Sequence, residues 1–194
     1  MSNAKFSRDR FNKCDAKGKK WAKGLIERLG ASRVMETKRN TKYDMEAIDE
    51  GIAVRFEVEI KQDWGTKWKV EKDGDEWVVN GTHSRLPFPF GDIRFAARKK
   101  DNPVDYYITF SGCGKYAMVA PSKDVKRSRI KQIDNKHMSG EPFMVFRLSG
   151  KSRFAFFKLD EDRWEMIFHW SGREPKVLTL DNVFGERRGS IFDL

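Results

Sequence analysis

Apolar and charged residues alternate along Val54–Lys61, a pattern that predicts a β-strand with two unlike faces. The apolar side carries Phe56, Val58 and Ile60, and the charged side carries Arg55, Glu57, Glu59 and Lys61. Two interpretations of the charged side stay open. Taken alone, it is more typical of an exposed edge strand whose neighbours neutralise the charges than of a carboxylate site for a hard divalent cation.

A helix is predicted upstream, over residues 15–29. Trp21, Leu25, Ile26 and Leu29 share one face of it. Asp15 is placed as its N-cap, and Gly30 stands where a left-handed residue ends many helices. Glu27 falls opposite the apolar stripe and is expected to face solvent, although it could also approach a site at the end of a sheet.

The next segment reads as a hairpin. One strand begins at Tyr43, a turn follows at 49–51, and the second strand is Ile52–Lys61. Opposed positions then sum to about 100, which brings Asp44 near Glu57 on the charged side of the partner strand.

Further strands are predicted before and after this hairpin, with one short basic helix over 123–133 that has Ser122 as its N-cap. The predicted strands are 31–38, 68–70, 77–79, 92–97, 105–110, 116–120, 143–148, 153–159, 163–170 and 177–180. The predicted fold class is α+β, with a mixed sheet flanked by helices.

Composition narrows the class of protein. At 194 residues, with 39% hydrophobic and 13% aromatic residues, the chain can bury a full core. A net charge of +10 points to a polyanionic partner, of which nucleic acid is the commonest.

Cys14 and Cys113 lack metal-ligand spacing, and no apolar run suggests a signal peptide or a membrane span. The expectation is a cytoplasmic protein in a bacterial or phage-infected cell, with no membrane partner and no nucleotide cofactor.

The helix, an acid on the first hairpin strand and Glu-x-Lys on the second together resemble the PD-(D/E)XK nuclease superfamily. That superfamily comprises restriction-endonuclease-like and Holliday-junction-resolvase-like enzymes. Asp44 precedes Glu59, and Lys61 completes the triplet. Tyr43 stands where the family often has proline. Glu57 competes with Glu59 for the acidic position, and Glu27 is the nearest counterpart of the family's helical glutamate.

The resemblance implies a restriction-endonuclease-like fold and a Mg²⁺-dependent (or Mn²⁺-dependent) DNA endonuclease, a phosphodiester hydrolase. It implies that Asp44, Glu59 and Lys61 are catalytic, with Asp44 and Glu59 as the metal ligands. Such an enzyme would serve DNA repair, recombination or restriction, in a phage or a mobile element. A non-catalytic nucleic-acid-binding protein of the same fold is the alternative, and a β-rich interaction protein is a third possibility.

Basic side chains are expected to follow the DNA phosphates. These candidates are Arg94, Arg98, Lys99, Lys100, Arg127 and Arg129, and a solvated surface is the alternative for them. The predicted organisation is a basic segment at 1–14, a nuclease-like core at 15–140 and a β-rich part at 141–194 packed on the same domain. The oligomeric state stays open, although cutting both DNA strands commonly needs two active sites and hence a homodimer.

Overall fold

We describe the protein from a computed structural model. The structure describes residues 8–37, 42–49, 51–132 and 141–170, and side chains from residue 15 onward within the first helix. The predicted strand at 177–180 lies outside the described residues. No helix within the described part of the chain is long and apolar enough to cross a membrane.

Two α-helices and thirteen strands make up the described secondary structure. The helices are α1 (Arg8–Arg28) and α2 (Ser122–Lys126). The strands before the chain midpoint are β1 (Ser32–Glu36), β2 (Met45–Asp49), β3 (Ile52–Lys61), β4 (Val70–Asp73), β5 (Glu76–Val79), β6 (Thr82–Ser84) and β7 (Asp92–Ala96). The later strands are β8 (Tyr106–Ser111), β9 (Tyr116–Pro121), β10 (Arg129–Gln132), β11 (Pro142–Arg147), β12 (Phe154–Asp160) and β13 (Arg163–Trp170).

Seven strands form one mixed sheet in the order β1-β2-β3-β8-β9-β12-β13. Strand β3 pairs antiparallel with β2 and parallel with β8, and the remaining neighbours are antiparallel. The hairpin register was predicted closely, since Met45 lies opposite Phe56 and Asp49 opposite Ile52. Strand β3 therefore lies inside the sheet, with a partner on each side.

One face of this sheet is covered by α1. Three residues of α1, Ala22, Leu25 and Ile26, are buried against apolar side chains of the sheet, and so is Leu29 directly after the helix. The alternation in β3 accounts for this contact, because Phe56 is fully buried there and Val58 and Ile60 pack beside it. Gly18 lets the helix approach closely: a Cβ at this position would lie 3.3 Å from the Val58 side chain.

The opposite face is covered mainly by two three-stranded sheets, β4-β5-β6 and β10-β11-β7. Their apolar side chains enclose a second core with those of the large sheet; it includes Trp64, Trp77, Phe95, Tyr107, Met118, Met144, Phe146 and Phe156. Ring contacts link the layers, for example between Phe95 and Tyr107 with centroids 4.8 Å apart. Strand β11 lies at the centre of one small sheet, while β12 and β13 extend the large one.

The predicted α+β fold, a restriction-endonuclease-like sheet flanked by helices, is wrong. The protein is mostly β, and small sheets cover the face where a layer of helices was expected. The segment at 123–133 shows why. The helix there has only five residues, Ser122–Lys126, and the chain then forms β10. Ser128 interrupts the basic run, and the next residues pair with β11 over four positions, which outweighs their helix propensity.

Of the two predicted ends of the first helix, the N-cap is wrong and the closing glycine is confirmed. Asp15 was predicted as the N-cap of α1, but α1 begins at Arg8 and Asp15 lies within it, 3.1 Å from the Lys19 ammonium. Gly30 has the expected positive φ of 93° and closes the helix by donating its N–H to the Glu27 carbonyl.

Candidate functional site

The charged side of β3 faces the second core rather than open solvent. Because β3 is flanked by β2 and β8, the interpretation of an exposed edge strand is wrong. The Glu57 side chain is only 5% exposed and that of Glu59 17%. Carboxylates so enclosed need partners, since burying an uncompensated charge costs several kcal/mol.

Lys99 supplies one partner for both glutamates. It lies at the end of a single 3-10 turn, Ala97–Lys99, that follows β7. Its ammonium is 2.5 Å from Glu57 Oε1 and 3.1 Å from Glu59 Oε1, so that one cation bridges the two carboxylates. Tyr107, beside Glu57 in register on β8, fixes this turn by donating its hydroxyl to the Lys99 carbonyl at 3.0 Å.

Lys61 supplies the second cation. Its ammonium donates to Glu59 Oε2 at 2.7 Å and to the Arg94 carbonyl at 2.5 Å, and it lies 5.4 Å from the centre of the Phe95 ring. Glu59 therefore has a lysine on each of its oxygens. The predicted Glu59–Lys61 pairing is present, and it links β3 to β7 in the covering sheet.

Asp44 lies one residue before β2, across from Glu57 by extension of the hairpin register. Its Oδ2 accepts the Val58 N–H at 2.8 Å. Strand β2 begins only at Met45, so the Asp44 side chain takes the place of a backbone acceptor for this N–H. The structure thus brings Asp44 next to Glu57 rather than against Glu59. Because Val58 separates the two glutamates, Asp44 holds the backbone from which both side chains project.

The two glutamates respond oppositely to this environment. Burial raises the pKa of Glu57 to about 7, because Lys99 only partly offsets the loss of hydration and Asp44 adds repulsion. Burial alone would also raise the pKa of Glu59, but Lys61 and Lys99 outweigh it and lower that pKa to about 2. Burial likewise raises the pKa of Asp44, against the opposing Val58 hydrogen bond.

Thr109 was not singled out from the sequence. It lies beside Glu59 in the parallel pairing of β3 with β8 and therefore on the same face. The residue is fully buried, and its hydroxyl has no hydrogen-bond partner among the described residues. An unpaired buried hydroxyl is unusual in a folded protein, because burying it without a hydrogen bond is unfavourable. A threonine within a buried strand gives no sequence signal of this kind.

The predicted DNA-contact residues divide into two groups. Lys99 forms one ion-paired cluster with Glu57, Glu59 and Lys61, which we call the carboxylate network. The Lys99 side chain is 21% exposed. The others have exposed side chains: Arg94, Arg98, Lys100, Arg127 and Arg129. Arg98 is already ion-paired with Glu141, and Arg94 lies 3.5 Å from Asp92. Glu27 is exposed and 3.9 Å from Lys23, so it has no part in the network, whereas Glu57 does.

A divalent cation requires oxygen ligands, and the network offers some. Within the described residues no group of three His, Cys, Asp or Glu side chains is arranged to hold a metal ion. Mg²⁺, however, takes as few as one or two carboxylates and completes its shell with water and phosphate. Glu57 and Glu59 are carboxylates of the kind that Mg²⁺ or Mn²⁺ takes, and the Lys99 ammonium lies between them. Thr109 lies beside Glu59 in the register.

Comparisons with known proteins give no family, curated relative or solved structure that matches this chain.

Proposed function

We propose that the protein is a Mg²⁺- or Mn²⁺-dependent nuclease that hydrolyses phosphodiester bonds in DNA. The observation that carries this proposal is the convergence of Glu57 and Glu59 on one bridging cation, inside a protein of net charge +10. A site that holds a cation between two carboxylates, with a second lysine beside it, has the charges needed to bind a metal and a phosphate together.

Glu57 and Glu59 would hold the metal in place of the Lys99 ammonium. When bound, the metal would lower the pKa of a coordinated water and offset the charge that develops on the phosphate. Lys61, on the far oxygen of Glu59, would orient that carboxylate and neutralise charge on the phosphate. Lys99, once displaced, would remain within reach of the same phosphate. Asp44 would act as a positioning residue through the Val58 N–H.

The test is cleavage of plasmid DNA and of a branched oligonucleotide in Mg²⁺, in Mn²⁺ and in EDTA. Wild type should cleave only with metal, and Glu59→Gln and Lys61→Met should lose at least a hundredfold in rate. Glu27→Gln, a matched exposed glutamate on α1, should cleave like wild type. Calorimetric titration of the protein with Mn²⁺, without DNA, should show one binding site. Glu57→Gln and Glu59→Gln should each lower the Mn²⁺ affinity of that site. Wild-type cleavage by Glu59→Gln would refute the proposal.

A non-catalytic nucleic-acid-binding protein is the second candidate. One observation favours it: each glutamate already has a lysine partner without a metal, Glu57 through Lys99 and Glu59 through Lys61 and Lys99. On this view the ion pairs only fix the covering sheet to β3. Salt-sensitive DNA binding without cleavage in either metal, and without a calorimetric Mn²⁺ site, is its expected signature.

A further inference from the structure

The small sheet β10-β11-β7 has an outer face directed away from the second core. Its inner face is set by Phe95, Met144 and Phe146, which are fully buried in that core. Register places Arg129, Val145 and Arg94 in one row across the three strands, on the outer face, where the Val145 side chain is buried between the two arginines' strands. The neighbouring row on the same outer face consists of Lys131, Phe143 and Ala96.

This outer face concentrates positive charge. Four exposed cations project from it, namely Arg94, Arg129, Lys131 and Arg147. Asp92 is the one acid within the same rows; it lies 3.5 Å from Arg94 and directly opposite Arg147 in the register. Strand spacing puts Arg94 and Arg129 about 10 Å apart, and Lys131 lies about 7 Å along β10 from Arg129. The positive charge is therefore spread over the outer face rather than concentrated at one point, and we call these four side chains the cation lattice.

Phe143 is the aromatic residue within this lattice. It is only partly buried and lies between Lys131 and Ala96 in the register. A flat β-sheet surface with cations around an accessible ring is the arrangement by which proteins hold single-stranded nucleic acid, through phosphate contacts and base stacking. A duplex hides its bases from such a ring.

The same sheet is joined to the carboxylate network. The Arg94 carbonyl accepts the Lys61 ammonium, while the Arg94 side chain belongs to the outer lattice. Strand β7 continues directly into the turn that carries Lys99. A strand of nucleic acid bound to the outer face would thus contact the element that positions both lysines of the network.

We propose that the outer face of β10-β11-β7 binds a single-stranded segment of nucleic acid, with its phosphates on the cation lattice and one base on Phe143. This inference rests on the proposed function for the class of ligand, but it does not require catalysis. It names the substrate form as single-stranded or locally unpaired.

The test is fluorescence anisotropy with a labelled 20-nucleotide oligo-dT in EDTA, beside a duplex of equal length. Arg94→Glu combined with Arg129→Glu should weaken single-strand binding by at least tenfold. It should also reduce the salt slope by about 1.4, since each phosphate contact on a single strand contributes about 0.7. Phe143→Leu should cost roughly tenfold on the single strand and leave duplex binding unchanged. Lys115→Glu combined with Lys151→Glu, two exposed lysines elsewhere, is the charge-matched control.

A loss in the control as large as in the arginine pair would assign binding to net charge and overturn the surface. Equal affinity for both probes, with no effect of Phe143→Leu, would overturn the single-strand assignment. Because binding is measured in EDTA, a protein that binds but never cleaves keeps this inference and loses the proposed function. Wild-type oligo-dT affinity in the arginine pair, together with normal cleavage, would overturn this inference and keep the proposed function.

Discussion

The two glutamates of the network should respond oppositely to the same substitution. Glu57→Gln and Glu59→Gln each remove one charge and retain shape, at positions two residues apart on β3. The pKa of Glu57 is raised from 4.5 to about 7, and that of Glu59 is lowered from 4.5 to about 2. The two changes correspond to about 3 kcal/mol of unfolding free energy each, with opposite signs.

The signs follow from which state holds the proton more tightly. Folded Glu57 binds its proton better than the unfolded chain does, so its contribution is full below pH 4.5 and is lost as the pH rises to about 7. Folded Glu59 binds its proton less well, so its contribution is full above pH 4.5 and is lost as the pH falls toward 2. Together the two residues stabilise the fold most near pH 4.5.

The assay is urea unfolding of wild type and both variants between pH 3 and 9, in EDTA. At pH 8, Glu57→Gln should be more stable than wild type by about 3 kcal/mol and Glu59→Gln less stable by a similar amount. For a chain of this length these changes correspond to melting shifts of roughly 6–12 °C. The Glu57→Gln difference should vanish near pH 4. Glu71→Gln, an exposed residue of β4, is the control and should match wild type throughout.

A common sign for both variants at pH 8 would refute this reasoning. It would mean that Lys99 compensates Glu57 as fully as Glu59, so that burial is not the dominant effect at Glu57.

Three further outcomes are expected. Asp44→Ala should lower the unfolding free energy by about 1–3 kcal/mol because the Val58 N–H loses its acceptor, while Asp44→Asn should retain most of that stability in the same urea assay. Gly114→Ala should cost about 3 kcal/mol or more, since Gly114 has φ of 75° and a Cβ there would overlap the Trp21 ring; Gly74→Ala, in an open turn, is its control. Lys99→Met should destabilise the protein above pH 7. Added Mn²⁺ should raise the melting temperature of this variant by more than it raises that of wild type.

Local sequence patterns predicted the parts of the site that neighbouring residues determine. The two-residue period of β3 separated Phe56 from Glu57, and the turn at 49–51 brought Asp44 beside Glu57. Both follow from pleat and hairpin geometry, which act over a few residues. The strand bounds Ile52–Lys61 and Arg163–Trp170 were also predicted as observed.

Long-range packing accounts for what was missed. Lys99 stands in the run Arg98-Lys99-Lys100, where no local signal distinguishes the residue that turns inward. Only the 3-10 turn after β7, packed over β3 from 40 residues away, directs Lys99 at the glutamates. The helix expected at 123–133 failed for a related reason, because pairing with β11 determines that β10 is a strand.

The cost of the network is an argument for its function. Apolar residues at positions 57, 59 and 99 would continue the second core, which already encloses Phe95 and Tyr107 beside them. Buried ion pairs commonly stabilise a fold no better than such a replacement. At neutral pH, Glu57 even opposes folding, as its raised pKa shows. The unpaired Thr109 hydroxyl adds a second unfavourable group on the same face. Stability alone therefore gives no reason for two carboxylates, two lysines and an unsatisfied hydroxyl around the inner strands β3 and β8, whereas binding a cation and a phosphate requires such groups.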